Sequence, residues 1–260
     1  MGKKKRNMDI RTFKSISDII DTAEELGYDT SVFLSEYNLD QCTAIYTGLI
    51  MGVDTSLYCD PAYSGEQMQE ILSGLLEGLD VSKYAHPVFD ADQMYQIRCG
   101  LKDGLNTDIY GDPEIYKSKE MELFRRAMSE GLDVTKFSDY NLYYGQMYQI
   151  YRGLKKGVDV TIYNDPKFDF RQMEIIYNGL SLGLDAKEYA KPEIDTDNMI
   201  AILNGMKQGF DMKKYCSPLY TAEQISFIVY GLSIGDDVRN YDSYNLSVEQ
   251  MWEIHISQLV

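Results

Sequence analysis

SGEQMQEILSGLLEGLDVSKYAHPVF, residues 64–89, is followed by DADQMYQIRCGLKDGLNTDIYGDPEI, residues 90–115. The same wording returns as YYGQMYQIYRGLKKGVDVTIYNDPKF at residues 143–168 and as DFRQMEIIYNGLSLGLDAKEYAKPEI at residues 169–194. Self-similarity at a fixed period marks a repeat architecture. The register falls on Gln41-Cys42, Gln67-Met68, Gln93-Met94, Glu120-Met121, Gln146-Met147, Gln172-Met173, Asn198-Met199, Gln224-Ile225 and Gln250-Met251. The step is 26 residues, except for a step of 27 entering the Glu120 repeat.

Each repeat is numbered here from its first helix cap. Position 1 is Asn38, Ser64, Asp90, Asp169, Asp195, Thr221 or Ser247, and position 4 is Gln, Glu or Asn. Such a pair forms a capping box, in which each side chain satisfies a backbone amide of the first turn. Positions 5, 8 and 12 are apolar, as in Met94, Ile97 and Leu101, which is one face of an α-helix. Position 15 is Gly (Gly52, Gly78, Gly157), the residue expected at a left-handed helix end. Position 17 is usually Asp (Asp54, Asp80, Asp159), which predicts a cap for a second, one-turn helix, and Pro61, Pro87 or Pro166 then stops that turn. Position 11 is also Gly (Gly48, Gly74, Gly179), inside the helix, at up to ~1 kcal/mol each relative to Ala. Its repetition predicts that a neighbouring backbone comes close there.

A repeat this short cannot bury its apolar face alone, whereas stacked repeats can. The sequence therefore predicts an all-α, right-handed α-solenoid of about nine 26-residue repeats, each a helix of about 13 residues plus a short helical turn. The organisation reads as a basic flexible tail at residues 1–12, a degenerate capping repeat at 13–37, eight tandem repeats at 38–246 and a C-terminal capping helix at 247–260. The Glu120 repeat departs from the pattern. Ala127 replaces the position 11 Gly, Tyr140 replaces Pro, and one residue is inserted near Glu114 to Tyr116, so a local change of curvature is expected there.

The arrangement resembles leucine-rich repeat variant proteins, which alternate an α-helix with a short 3₁₀ turn. The Gln-Met…Gly-Leu…Gly-Leu-Asp wording, from about Gln41 onward, also resembles mostly uncharacterised repeat proteins of gut Firmicutes and their mobile elements. That resemblance brings no catalytic residues with it.

The chain has 260 residues and a formal net charge of −16. No apolar run approaches the ~18 residues of a membrane span, and no secretory signal is expected in the basic start, MGKKKRN. Cys42, Cys59, Cys99 and Cys216 form no CxxC pair and read as reduced thiols, which points to a cytoplasmic protein. With only His86 and His255, a His/Cys metal site is not expected. The sequence shows no nucleophile elbow, P-loop, HExxH or Ser/His/Asp set, so it is read as non-enzymatic, with no catalytic residue, metal or cofactor.

Positions that vary are free to recognise a partner. Positions 2, 6, 9 and 13 share one side of the helix and carry Tyr144, Tyr148, Tyr151 and Lys155 in one repeat, with Tyr95, Phe170, Tyr177 and Trp252 elsewhere. Tyr gives large contact area at low entropy cost. At position 9 the ring can equally pack on the core, while positions 2 and 6 are expected to be exposed. Arg98, Lys102, Arg125, Arg126, Arg152 and Lys155 place positive charge at related positions of three consecutive repeats. This basic stripe either receives an anionic partner or is a solvated face pairing with Glu77, Asp103 and Glu130.

Two functions from different classes follow. The first is a protein-interaction scaffold with a protein partner, using the Tyr-rich face and the basic stripe. The alternative is an acidic DNA mimic that inhibits a nucleic-acid enzyme or a host defence system, favoured by net charge and the mobile-element resemblance. Much of the acid, however, sits at cap positions. Direct nucleic-acid binding is opposed by the overall charge.

Overall fold

The computed structural model describes residues 13–138 and 141–258. The basic tail expected at 1–12, Tyr140 in place of Pro, and Leu259 and Val260 of the expected capping helix lie outside the described residues. Among the described residues the chain is all-helical, with no strand. It divides into two compact bodies, Met1–Ser129 and Glu130–Val260.

The first body holds α1 (Ile16–Glu25), α2 (Leu39–Met51), α3 (Gly65–Leu76), α4 (Ala91–Lys102) and α5 (Ser118–Ser129). The second holds a one-turn helix α6 (Thr135–Ser138), then α7 (Tyr144–Lys156), α8 (Phe170–Ser181), α9 (Thr196–Lys207), α10 (Ala222–Ser233) and α11 (Val248–Ser257). Within each body, consecutive helices pack on one another. Three-residue 3₁₀ turns follow most helices, as at Val81–Lys83 and Ala186–Glu188.

The caps explain where the helices lie. Complete capping boxes begin α2, α3, α4, α8, α10 and α11. Gly52 and Gly157 end α2 and α7 with φ of 74° and 76°, a region closed to most side chains. Asp80 and Asp159 then cap the short turns, each accepting from the amide two residues on. The core is built by positions 5 and 8: Met68, Ile71, Met94 and Ile97 in the first body, Met173, Ile176, Met199 and Ile202 in the second, all fully buried. Leu75 and Leu101, at position 12, are only half-buried.

The position 11 glycines serve a purpose different from the one expected. A methyl on Gly48, Gly74, Gly100, Gly153, Gly179 or Gly231 would meet not a neighbouring backbone but a tyrosine hydroxyl ten residues on in the same repeat, at 1.9–2.0 Å. That tyrosine, at position 21, is fully buried as Tyr58, Tyr84, Tyr163 or Tyr189. Its ring folds back under its own helix, and its hydroxyl donates to a mid-helix carbonyl: Tyr58 to Ala44 at 3.3 Å, Tyr84 to Glu70 at 3.2 Å, Tyr163 to Gln149 at 3.2 Å and Tyr189 to Ile175 at 3.3 Å. A side chain at position 11 would occupy that space. The sequence repeats the complementarity. Where position 11 is Ala (Ala23, Ala127), position 21 is Phe (Phe33, Phe137), so a methyl appears only where the hydroxyl is missing.

The position 4 glutamines also do more than cap. Gln172 Oε1 accepts from its own cap amide at 2.9 Å, while Nε2 donates to the Pro192 carbonyl at 3.1 Å and the Ile194 carbonyl at 2.8 Å in the next repeat. Gln41, Gln67, Gln146 and Gln224 make the same forward ties. These buried amides join neighbouring repeats by satisfying carbonyls that the helices cannot reach. The inserted residue is absorbed within this scheme. Gln93 still reaches Pro113, and its second acceptor moves to Tyr116, 23 rather than 22 residues ahead. The extra residue is thus taken up between Pro113 and Tyr116, where the Tyr116 amide donates to Asp112 at 2.9 Å.

Candidate interaction surface

The candidate residues fall into both bodies. In the first, Tyr95 is exposed on α4 and Arg98 lies 5.5 Å from its ring centre. Arg98 is held from two sides, by Glu70 at 2.8 Å and Glu77 at 3.1 Å, and its side chain is only 13% exposed. Lys102 meets Glu77 at 2.9 Å, and this hydrogen bond, aided by Arg98, holds the Glu77 carboxyl below its ordinary range. Arg125 donates to Gln96 at 3.0 Å and lies 3.8 Å from Asp103, and Arg126 lies 3.9 Å from Glu122. Each base of this half of the stripe therefore has an acid beside it.

In the second body α7 carries Tyr144, Tyr148, Tyr151 and Lys155 at helical spacing. Tyr144 and Tyr148 are 37% and 38% exposed, with ring centres 6.2 Å apart and planes within 21°. Tyr151 continues the ladder at 6.2 Å but is buried, its hydroxyl donating to Glu130 at 3.0 Å. Lys155 also meets Glu130, at 2.8 Å. Arg152 lies 4.3 Å from the ring centre of the half-buried Tyr177 and pairs with Glu174 at 3.2 Å. So positions 2 and 6 are exposed as expected. Position 9 turns to the core at Tyr46 and Tyr151, and sits half-buried at Tyr177. Glu77, Asp103 and Glu130 are beside the bases as the pairing reading expects.

One neighbour of this ladder, Tyr143, escaped sequence reasoning, whereas Phe170 was expected at the exposed position 2. Tyr143 occupies position 1, where other repeats place a capping oxygen, and its side chain makes no cap hydrogen bond. Instead its ring is 51% exposed and its hydroxyl accepts from the Phe170 amide at 3.1 Å. Phe170 is itself 40% exposed and closes over Gly145, where a methyl would lie 3.3 Å from its Cβ. The available signal was the broken cap rule at Tyr143. Tyr144 stacks on Tyr148 and Tyr143 is tied to Phe170, so α7 and the start of α8 carry four exposed aromatic rings, called here the aromatic patch.

A second departure lies near the end of the chain. Asp236 replaces the apolar position 16 residue of other repeats and meets Nδ1 of the buried His255, with the Tyr241 hydroxyl donating to the same carboxylate at 3.0 Å. Phe227, Tyr230 and Trp252 surround the imidazole, so these residues fasten α11 onto α10. Among the described residues no group of His, Cys, Asp and Glu could hold a metal, and no helix is long and apolar enough to cross a membrane.

No protein family, curated protein or solved structure matches this chain.

Proposed function

We propose that the chain is a right-handed α-solenoid of about nine repeats and acts as a non-enzymatic protein-interaction scaffold through the variable face of its helices. The carrying observation is the exposed aromatic patch of Tyr143, Tyr144, Tyr148 and Phe170. Its existence runs against folding preference. Replacing the cap at position 1 by Tyr143 gives up about 1 kcal/mol of helix stability, and the ring it presents is half in solvent. The Tyr143 hydroxyl returns one hydrogen bond, from the Phe170 amide, but the ring stays half in solvent, a departure from the local rule that points to a site kept for recognition. Rigid aromatic side chains on well-anchored helices suit that role, because little freedom is lost when a partner is bound. The basic residues contribute less. Exposed ion pairs stabilise by ~0–1 kcal/mol each, and Arg98 in particular is bound into its own body.

The test is affinity capture from the source cells with the parent and with Tyr144→Ser/Tyr148→Ser, followed by mass spectrometry. A partner that serves this face is recovered with the parent and lost with the double variant while helicity is unchanged. Identical recoveries would remove the patch from recognition.

A further inference from the structure

Resting on the scaffold reading, we infer that the α7–α8 face takes an extended peptide segment with carboxylates near its two ends and an apolar or aromatic middle. The argument is one of charge complementarity within the second body. Position 3 carries an acid near most helix starts (Asp40, Glu66, Asp92, Asp197, Glu223, Glu249), which is where the helix dipole favours negative charge. In α7 and α8 the acid is gone, replaced by Gly145 and Arg171. Helix α7 contains no acidic residue at all and three basic ones, Arg152, Lys155 and Lys156, in a chain of net charge −16. The stacked tyrosines described above therefore lie on a helix with no acidic residue of its own, although Glu130 and Glu174 each pair with one of its bases.

The geometry sets the length of the guest. Arg171 is exposed and lies 5.8 Å from the Phe170 ring centre, at the N-terminal end of the patch. At the other end Lys155, its side chain 56% exposed, donates to Glu130 and to the Tyr151 hydroxyl. From Tyr144 to Lys155 the stripe runs about 16 Å along the helix. An extended chain covers that distance in about five residues. Carboxylates at the ends of such a segment reach the two cations. Its middle side chains lie on the exposed rings of Tyr144 and Tyr148. A nucleic-acid strand would also stack on tyrosines, but it needs a run of cations along its phosphates, and here Glu174 and Glu130 interrupt them.

The experiment measures binding of three labelled probes to the full chain by fluorescence anisotropy: a glutamate–tyrosine copolymer, polyglutamate and oligothymidine. The proposal expects the copolymer to bind at least about tenfold more tightly than either other probe. Its binding should weaken with salt, and fall about tenfold or more in each of Tyr144→Ser/Tyr148→Ser and Lys155→Glu/Arg171→Glu. Circular dichroism confirms that both variants are folded. Equal binding of copolymer and polyglutamate, preference for oligothymidine, or unchanged binding by either variant overturns the inference. If the copolymer fails while cellular capture still depends on Tyr144 and Tyr148, the scaffold reading stands and the acidic chemistry of the guest is wrong.

Discussion

A methyl group on Gly179 would lie 2.0 Å from the Tyr189 hydroxyl, which is nearly a full covalent-bond length inside any allowed contact. The two residues are ten apart in sequence and belong to the same repeat. Gly179→Ala therefore has to displace the ring, at about 1–3 kcal/mol, which exceeds the gain of up to ~1 kcal/mol in helix propensity. Tyr189→Phe loses one hydrogen bond, about 1 kcal/mol. The combination Gly179→Ala/Tyr189→Phe recreates the Ala23/Phe33 and Ala127/Phe137 pairings and should be clearly more stable than the sum of the single changes. Urea denaturation of the four proteins measures the coupling. Simple additivity would show that the hydroxyl is not what excludes the methyl.

The forward tie of Gln172 gives a second test. Gln172→Leu strands the Pro192 and Ile194 carbonyls and the Asp169 amide, for a loss of about 3 kcal/mol. Gln250, in α11, has the capping half of the motif but no forward acceptor among the described residues. Gln250→Leu should lose only about 1 kcal/mol. Equal losses would mean that capping alone explains both glutamines.

Alkaline pH should unfold the protein sharply. Burial pushes the hydroxyls of Tyr58, Tyr84, Tyr163 and Tyr189 well above their ordinary value, so they stay protonated in the folded chain. In the unfolded chain they ionise near their ordinary value of about 10. The stabilisation is therefore complete below about pH 10 and is lost as pH rises through the folded values. Helicity and tyrosinate absorbance should change together. Full tyrosine ionisation with helicity intact would contradict the buried lock.

At the head of α7, Tyr143→Ser restores the capping oxygen that other repeats have. That gain of about 1 kcal/mol is offset by the lost hydrogen bond from the Phe170 amide, so the urea midpoint should stay nearly unchanged. Partner binding should weaken in the same variant. Undiminished binding would leave Tyr143 without a role in recognition.

Much of this molecule is legible from local grammar. Ser64 with Gln67, Gly78 and Asp80 each act within a few residues of their own position, so their types alone locate the helices and turns. The ring lock was harder to read, because nothing at Gly48 says that Tyr58 folds back beneath it. The paired exchange to Ala23 and Phe33 did carry that information. The forward reach of Gln67 was hidden for a different reason: its acceptors are backbone carbonyls, which leave no mark on residue type. For the surface, positions 2 and 6 followed helical spacing at Tyr144 and Tyr148. At Tyr151 the sequence could not choose between core and solvent, and the Glu130 carboxylate that receives its hydroxyl lies 21 residues away. Arg98 looked like its stripe neighbours but is fixed by Glu70 and Glu77.

The glutamine that closes its own cap and reaches one repeat ahead makes the repeat an interchangeable cassette. Its polar obligations end with its successor, and most successors offer equivalent carbonyls at the same offset, as Gln146 and Gln172 show. Recombination between two equivalent glycine codons, such as those of Gly157 and Gly183, would then delete or duplicate a whole cassette and leave native joints on both sides of the splice. Copy number becomes a quantity that selection can vary without inventing a new contact. The reading surface can be lengthened, shortened or shuffled while the chain keeps one set of folding instructions.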